Sequence, residues 1–198
     1  MIMPTTHVDL TLEICSEDGS RTEFYQNDED SIRKILRLLG TPRLFSQPLL
    51  TVASDRSVSA VPCQTIDLIL AHMASPPPLV LPPEWLNIVE VNVEALYDEA
   101  DAEGSSEAAD STSWLAEIHT LGDWMIRLKL QVAHQATLLD RRQFSVHFLE
   151  LPVIPFYLQA GGIGFINPAK ISRLTVYPAF KGVTETALPA DLLRCVRL

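Results

Sequence analysis

The sequence predicts an α+β fold built from two tandem ββαββ units, each an antiparallel sheet covered by one helix, packed about a pseudo-twofold axis. Three observations carry this expectation. Val8 to Ile14 alternates strictly between apolar and polar residues. An amphipathic stretch at helical spacing follows a hairpin signal. The same pattern then returns later in the chain, Ile66 and Ile171 standing 105 positions apart.

In the first unit, Val8, Leu10, Leu12 and Ile14 fall on one face and Asp9, Thr11 and Glu13 on the other. A period of two marks a half-buried strand. Asp18-Gly19 supplies a turn, because glycine adopts positive φ freely. Thr22, Phe24 and Gln26 continue in a second strand. Asn27 or Asp28 can cap a helix whose first turn holds Glu29 and Asp30, where the macrodipole favours acids. Ile32, Ile35, Leu36 and Leu39 form its apolar stripe. Gly40 is read as a left-handed stop, and Pro42 forbids continuation. Strands follow at Leu49–Val52, Val58–Val61 and Ile66–Leu70.

Ser75 to Pro83 is proline-rich and reads as a stiff, extended connector. Trp85 to Leu96 carries strand character, and Asp98 to Ser113 reads as a flexible acidic loop without large apolar anchors. Trp114, Ala116 and Ile118 then alternate as the first strand did. Ile126, Leu128 and Leu130 form its partner, and Ala133 to Gln143 stands where the helix stood. Gly161-Gly162 makes a tight turn before Ile163–Ile166. Thr186 to Leu198 suits a short closing helix. The expected organisation is a first unit over 1–74, a connector, extra strand and acidic loop over 75–113, and a second unit over 114–198.

Composition limits function. A net charge of −10, with 15 scattered Lys and Arg, opposes binding to nucleic acid or an anionic membrane surface. Three distant cysteines, an odd number without a CxxC, suit a reducing compartment, and the N-terminus lacks a charged and then apolar leader. A cytoplasmic protein is therefore expected. No apolar run approaches the roughly 20 residues that span a bilayer.

Chemistry is sparse. The five histidines never fall at metal-ligand spacing, so neither metal nor cofactor is expected. Ser31-Ile32-Arg33-Lys34 has the S-x-x-K spacing of a nucleophile and base but opens an ordinary amphipathic helix. Gly161-Gly162-Ile163-Gly164 leads into a strand pattern, whereas phosphate loops lead into a helix. Cys63 shows no neighbouring base to lower its pKa. Trp114 and Trp124 flank a hairpin, where aromatics usually belong to the core but are also favoured interface anchors. Arg141-Arg142 is the one adjacent pair of arginines. These four residues are the candidate binding set. The function expected is a non-enzymatic binding or assembly module that engages a protein partner or a second copy of itself. The alternative is a small hydrolase or transferase in which His119, His134 and His147 meet a carboxylate such as Asp140 or Glu150.

Overall fold

In a computed structural model, the described residues are 9–54, 57–82, 85–92, 111–133 and 144–177. The chain is mostly β, with one nine-stranded mixed sheet, a separate two-stranded ribbon and two α-helices among these residues. This overturns the expectation of two tandem ββαββ units, each an antiparallel sheet covered by its own helix. Strands from both halves share one sheet, because the strand Ile163–Ile166 of the second half pairs with the strand Ile66–His72 of the first.

The strands are β1 (Leu10–Ser16), β2 (Arg21–Gln26), β3 (Leu49–Ala53), β4 (Val58–Pro62), β5 (Ile66–His72) and β6 (Trp85–Glu90). They continue with β7 (Ser111–Thr120), β8 (Met125–Ala133), β9 (Ile154–Tyr157), β10 (Ile163–Ile166) and β11 (Ile171–Tyr177). The large sheet runs β11-β7-β8-β6-β9-β10-β5-β1-β2, and β3 pairs only with β4. Pairing is antiparallel except where Val89 on β6 meets Tyr157 on β9.

The helices are α1 (Glu29–Leu39) and α2 (Phe144–Glu150). The Asp28 side chain caps α1 by accepting from the Ser31 N–H at 2.9 Å, which satisfies one of the donors left over at a helix start. Gly40 ends the helix at φ −74°, so the left-handed stop is not used. Its N–H bonds the Leu36 carbonyl instead. The second helix was expected at Ala133–Gln143, but Ala133 closes β8 and α2 begins at Phe144. Residues 134–143, residues 98–110 of the expected acidic loop and the expected C-terminal helix lie outside the described residues, and the end of that loop, Ser111 to Ser113, is the start of β7 instead.

Alternation along the central strands places the two helices on opposite sides of the sheet. On β5, Ile69 and Ala71 join the core that holds α1 residues Ile32 and Leu39, while Leu68 joins the core that holds Phe148 of α2. On β10, Ile163 and Phe165 belong with α1 and Ile166 with Phe148. Successive strand residues point to opposite faces, so the sheet is the wall between the two cores. Burying each apolar side chain contributes about 1.5–3 kcal/mol. This explains why β5 and β10, covered on both faces, are near-continuous apolar runs with no alternation to read.

A polar junction locks the halves at one end of the sheet. Asp67, fully buried, accepts from the Gly122 N–H, and its own backbone carbonyl accepts from Asn167 N–H. Asn167 Nδ2 donates to the Ile66 carbonyl at 2.8 Å, and Lys170 pairs with Glu17. Gly122 has no room for a side chain: a Cβ there would lie 2.3 Å from the Ser16 carbonyl oxygen.

Candidate functional site

The described residues form an apolar cleft of about 740 Å³. Ile163 and Phe165 of β10 form part of its lining. The C-terminal half of α1 with residues 40–42, the proline-rich segment 77–82, the Leu151–Val153 turn and Pro155 of β9 supply the rest. The segment expected to be a mere connector is therefore part of the site.

Local chemistry explains how that segment is held. Its prolines favour an extended path and cannot donate backbone hydrogen bonds. The Leu79 N–H donates to the Tyr157 hydroxyl at 3.0 Å. Leu79 packs against the α1-side core and Leu81 against the opposite core, which pins the strap at both leucines. Val80 between them is 90% exposed. A spacer would not need Leu-Val-Leu among its prolines, and that interleaving was the signal available in the sequence.

Arg33 and Arg37 are the only charged residues among the described lining residues. Arg33 is paired with Glu29 and with Asp30, the latter at 3.2 Å. Arg37 is exposed and forms no ion pair with a described residue. No His, Cys, Asp or Glu is among the described lining residues, and the one side-chain hydroxyl among them, that of Thr41, donates to the Leu38 carbonyl at 3.0 Å.

The described members of the candidate binding set, Trp114 and Trp124, are not among the lining residues. Trp114 is buried in the core that holds Phe148. Trp124 is half-buried and donates from Nε1 to the Ser16 carbonyl at 3.0 Å, which places it at the junction between the halves. Arg141, Arg142, His134 and Asp140 fall outside the described residues. His147 and Glu150 are exposed on α2. Ser31 donates its N–H to the Asp28 cap, and Lys34 is exposed. Cys63 is buried, which pushes its thiol pKa up. The Gly161-Gly162 pair turns with φ of 96° and 117°.

His119 does meet a carboxylate, but the partner is Glu117, at 2.8 Å. Glu117 also accepts from Arg127 Nε at 3.1 Å and from Arg173 Nη2 at 3.3 Å, and Arg173 Nη2 contacts His119 as well. Burial raises the Glu117 pKa, but the His119 hydrogen bond and the Arg127 charge outweigh it and hold the carboxyl below its ordinary value. A smaller version occurs on β1, where Glu13 pairs with Arg21 at 2.9 Å and lies 3.2 Å from His72. None of these groups is among the described lining residues of the cleft.

Among the described residues no cluster of His, Cys, Asp or Glu is arranged to hold a metal ion, and no helix is long and apolar enough to cross a membrane. No family model, curated protein or solved structure matches this chain.

Proposed function

We propose that this chain is a non-enzymatic binding module that holds an apolar stretch of a protein partner in the cleft between α1 and the proline-rich strap. The carrying observation is the lining itself: leucine, valine, isoleucine, phenylalanine and proline side chains dominate, and the charged groups are two arginines of α1. Ligand sites of this kind take their affinity from apolar area and their orientation from a few polar groups. The cleft also lies over β10, the strand through which the second half joins the first, and concave sites recur where such units meet.

The test is selection of a displayed random nonapeptide library on the full chain, followed by fluorescence anisotropy with the enriched peptides. Enrichment of aliphatic peptides, with binding abolished by Val80→Asp, is the expected result. Val80 is almost fully exposed, so the substitution leaves the cores intact. No enrichment, or binding indifferent to Val80→Asp, removes the reading. A second copy acting as the occupant would appear as a concentration-dependent dimer in light scattering.

A further inference from the structure

We infer that the segment recognised by the cleft carries a carboxylate beside its apolar residues, read by Arg37, and that it is recognised through side chains without adding a strand. This rests on the binding reading above and names the chemistry of the partner.

The first argument is charge. The chain carries a net charge of −10, yet the charges among the described lining residues of its apolar cleft are both positive. The two arginines are not equivalent. Arg33 is engaged by Glu29 and Asp30, one turn back on the same helix, so most of its charge is answered within the protein. Arg37 sits one turn further on, exposed, without an ion pair to a described residue. A guanidinium at the edge of apolar surface attracts carboxylates more strongly than one in open water, because the low-dielectric wall excludes part of the screening solvent. An aspartate or glutamate flanking the apolar stretch would be drawn to Arg37, and a lysine there would be repelled.

The second argument is backbone chemistry. A partner strand needs a row of free N–H and C=O groups. The strap has prolines at positions 76, 77, 78 and 82, which donate nothing, and the Leu79 N–H is already given to Tyr157. The opposite wall carries Pro152 and Pro155. Continuous ladder pairing is therefore blocked on both sides, and contact falls to side chains packing between prolines and leucines. The cleft is also open along the strap, where Val80 is 90% exposed. An open groove suits a chain with some side chains turned inward and others in water. A fatty acid, apolar along its whole tail, would be left partly wet.

The experiment is to repeat the nonapeptide selection on wild-type chain, on Arg37→Glu, and on Lys34→Glu as control. Lys34 is a cation of the same helix that is not among the described lining residues. Wild-type chain should enrich aliphatic peptides with Asp or Glu at one flank. Arg37→Glu should weaken those peptides by roughly fivefold or more, since an exposed attraction becomes a repulsion, and should enrich Lys or Arg at that flank. Lys34→Glu should leave the wild-type result unchanged. Enriched peptides with one backbone N-methyl in the apolar stretch should bind within about twofold of the parent, as side-chain recognition requires. Aliphatic peptides without acidic bias, equally bound by Arg37→Glu, would overturn this inference while leaving the binding reading intact. No peptide enrichment, with micromolar binding of oleate, would overturn both.

Discussion

The backbone N–H of Gly122 donates to Asp67 Oδ2 at 2.6 Å, a hydrogen bond between residues 55 positions apart. Asp67 is fully buried near the start of β5, and Gly122 lies in the β7–β8 turn, so one bond fastens the tip of a second-half hairpin to a first-half strand. A Cβ on residue 122 would meet Ser16 O at 2.3 Å and both Asp67 Oδ2 and Trp124 Nε1 at 2.9 Å. Gly122→Ala is therefore expected to cost about 1–3 kcal/mol, the range for overpacking a well-fitted interior. Asp67→Ala, which strands the buried N–H, is expected to cost about 1–3 kcal/mol. Gly40→Ala is the control: its Cβ would meet only Leu36 O, at 3.4 Å, and its φ of −74° suits alanine. Urea unfolding should show that variant unchanged or slightly more stable. Equal stability for all three would contradict the packing described.

Gly164 and Phe156 are directly opposite on β10 and β9. The phenyl ring lies over the glycine, with its Cζ 2.2 Å from the place a Cβ would take. Gly164→Ala is expected to destabilise by about 1–3 kcal/mol. Phe156→Leu should destabilise alone yet recover part of the Gly164→Ala loss, giving a non-zero coupling in a double-mutant cycle. Strict additivity would place the ring elsewhere.

Glu117 sets a pH dependence whose sign follows from its depressed pKa. Burial opposes ionisation, but His119 and Arg127 stabilise the carboxylate more strongly, so the folded value lies below the ordinary 4.5. Its contribution is complete above that value and is lost as pH falls through the lower folded one. Glu117→Gln should cost about 1–2 kcal/mol near neutral pH, at the low end for bonds to charged groups because the side chain keeps 18% exposure. The difference from wild type should shrink steadily below pH 4.5. A gap in urea midpoints that persists unchanged at low pH would show that the charge is not responsible.

Cys15 should be chemically silent. Burial first, and the neighbouring Glu13 charge second, push its thiol up to about 12, so almost no thiolate exists at neutral pH. Peptide mapping after iodoacetamide treatment of folded protein should find Cys15 and Cys63 unmodified, and both modified in urea. Rapid labelling of Cys15 in the folded state would contradict its burial.

Much of the local structure was legible. The alternation of Leu10, Leu12 and Ile14 marks β1, Asp18-Gly19 forms the β1–β2 turn with Gly19 at φ 79°, and the Ile32 to Leu39 stripe is the buried side of α1. What stayed hidden is pairing between distant strands. Period two reports which face of a strand is apolar, not which strand lies beside it. Nothing local in Ile66–Ala71 announces that its second neighbour is Ile163–Ile166. The β7–β8 turn was also only half legible: Gly122 marks it, but the residue at positive φ is Asp123, at 64°, and the glycine is required by close approach. The cleft escaped because a proline-rich run has the composition of a spacer, while its role as a wall depends on Tyr157, far along the chain, holding Leu79.

The partnership of Ile69 with Phe165 carries a cost in time. On a ribosome adding about 5–20 residues each second, the open side of β5 waits on the order of five to twenty seconds for β10 to be made. During that wait a nearly continuous apolar strand is exposed along an unpaired edge, the state most prone to stick to a neighbouring nascent chain. Covering of that edge is thereby tied to the synthesis of residues 163–166, and a pause before residue 163 would lengthen the vulnerable interval.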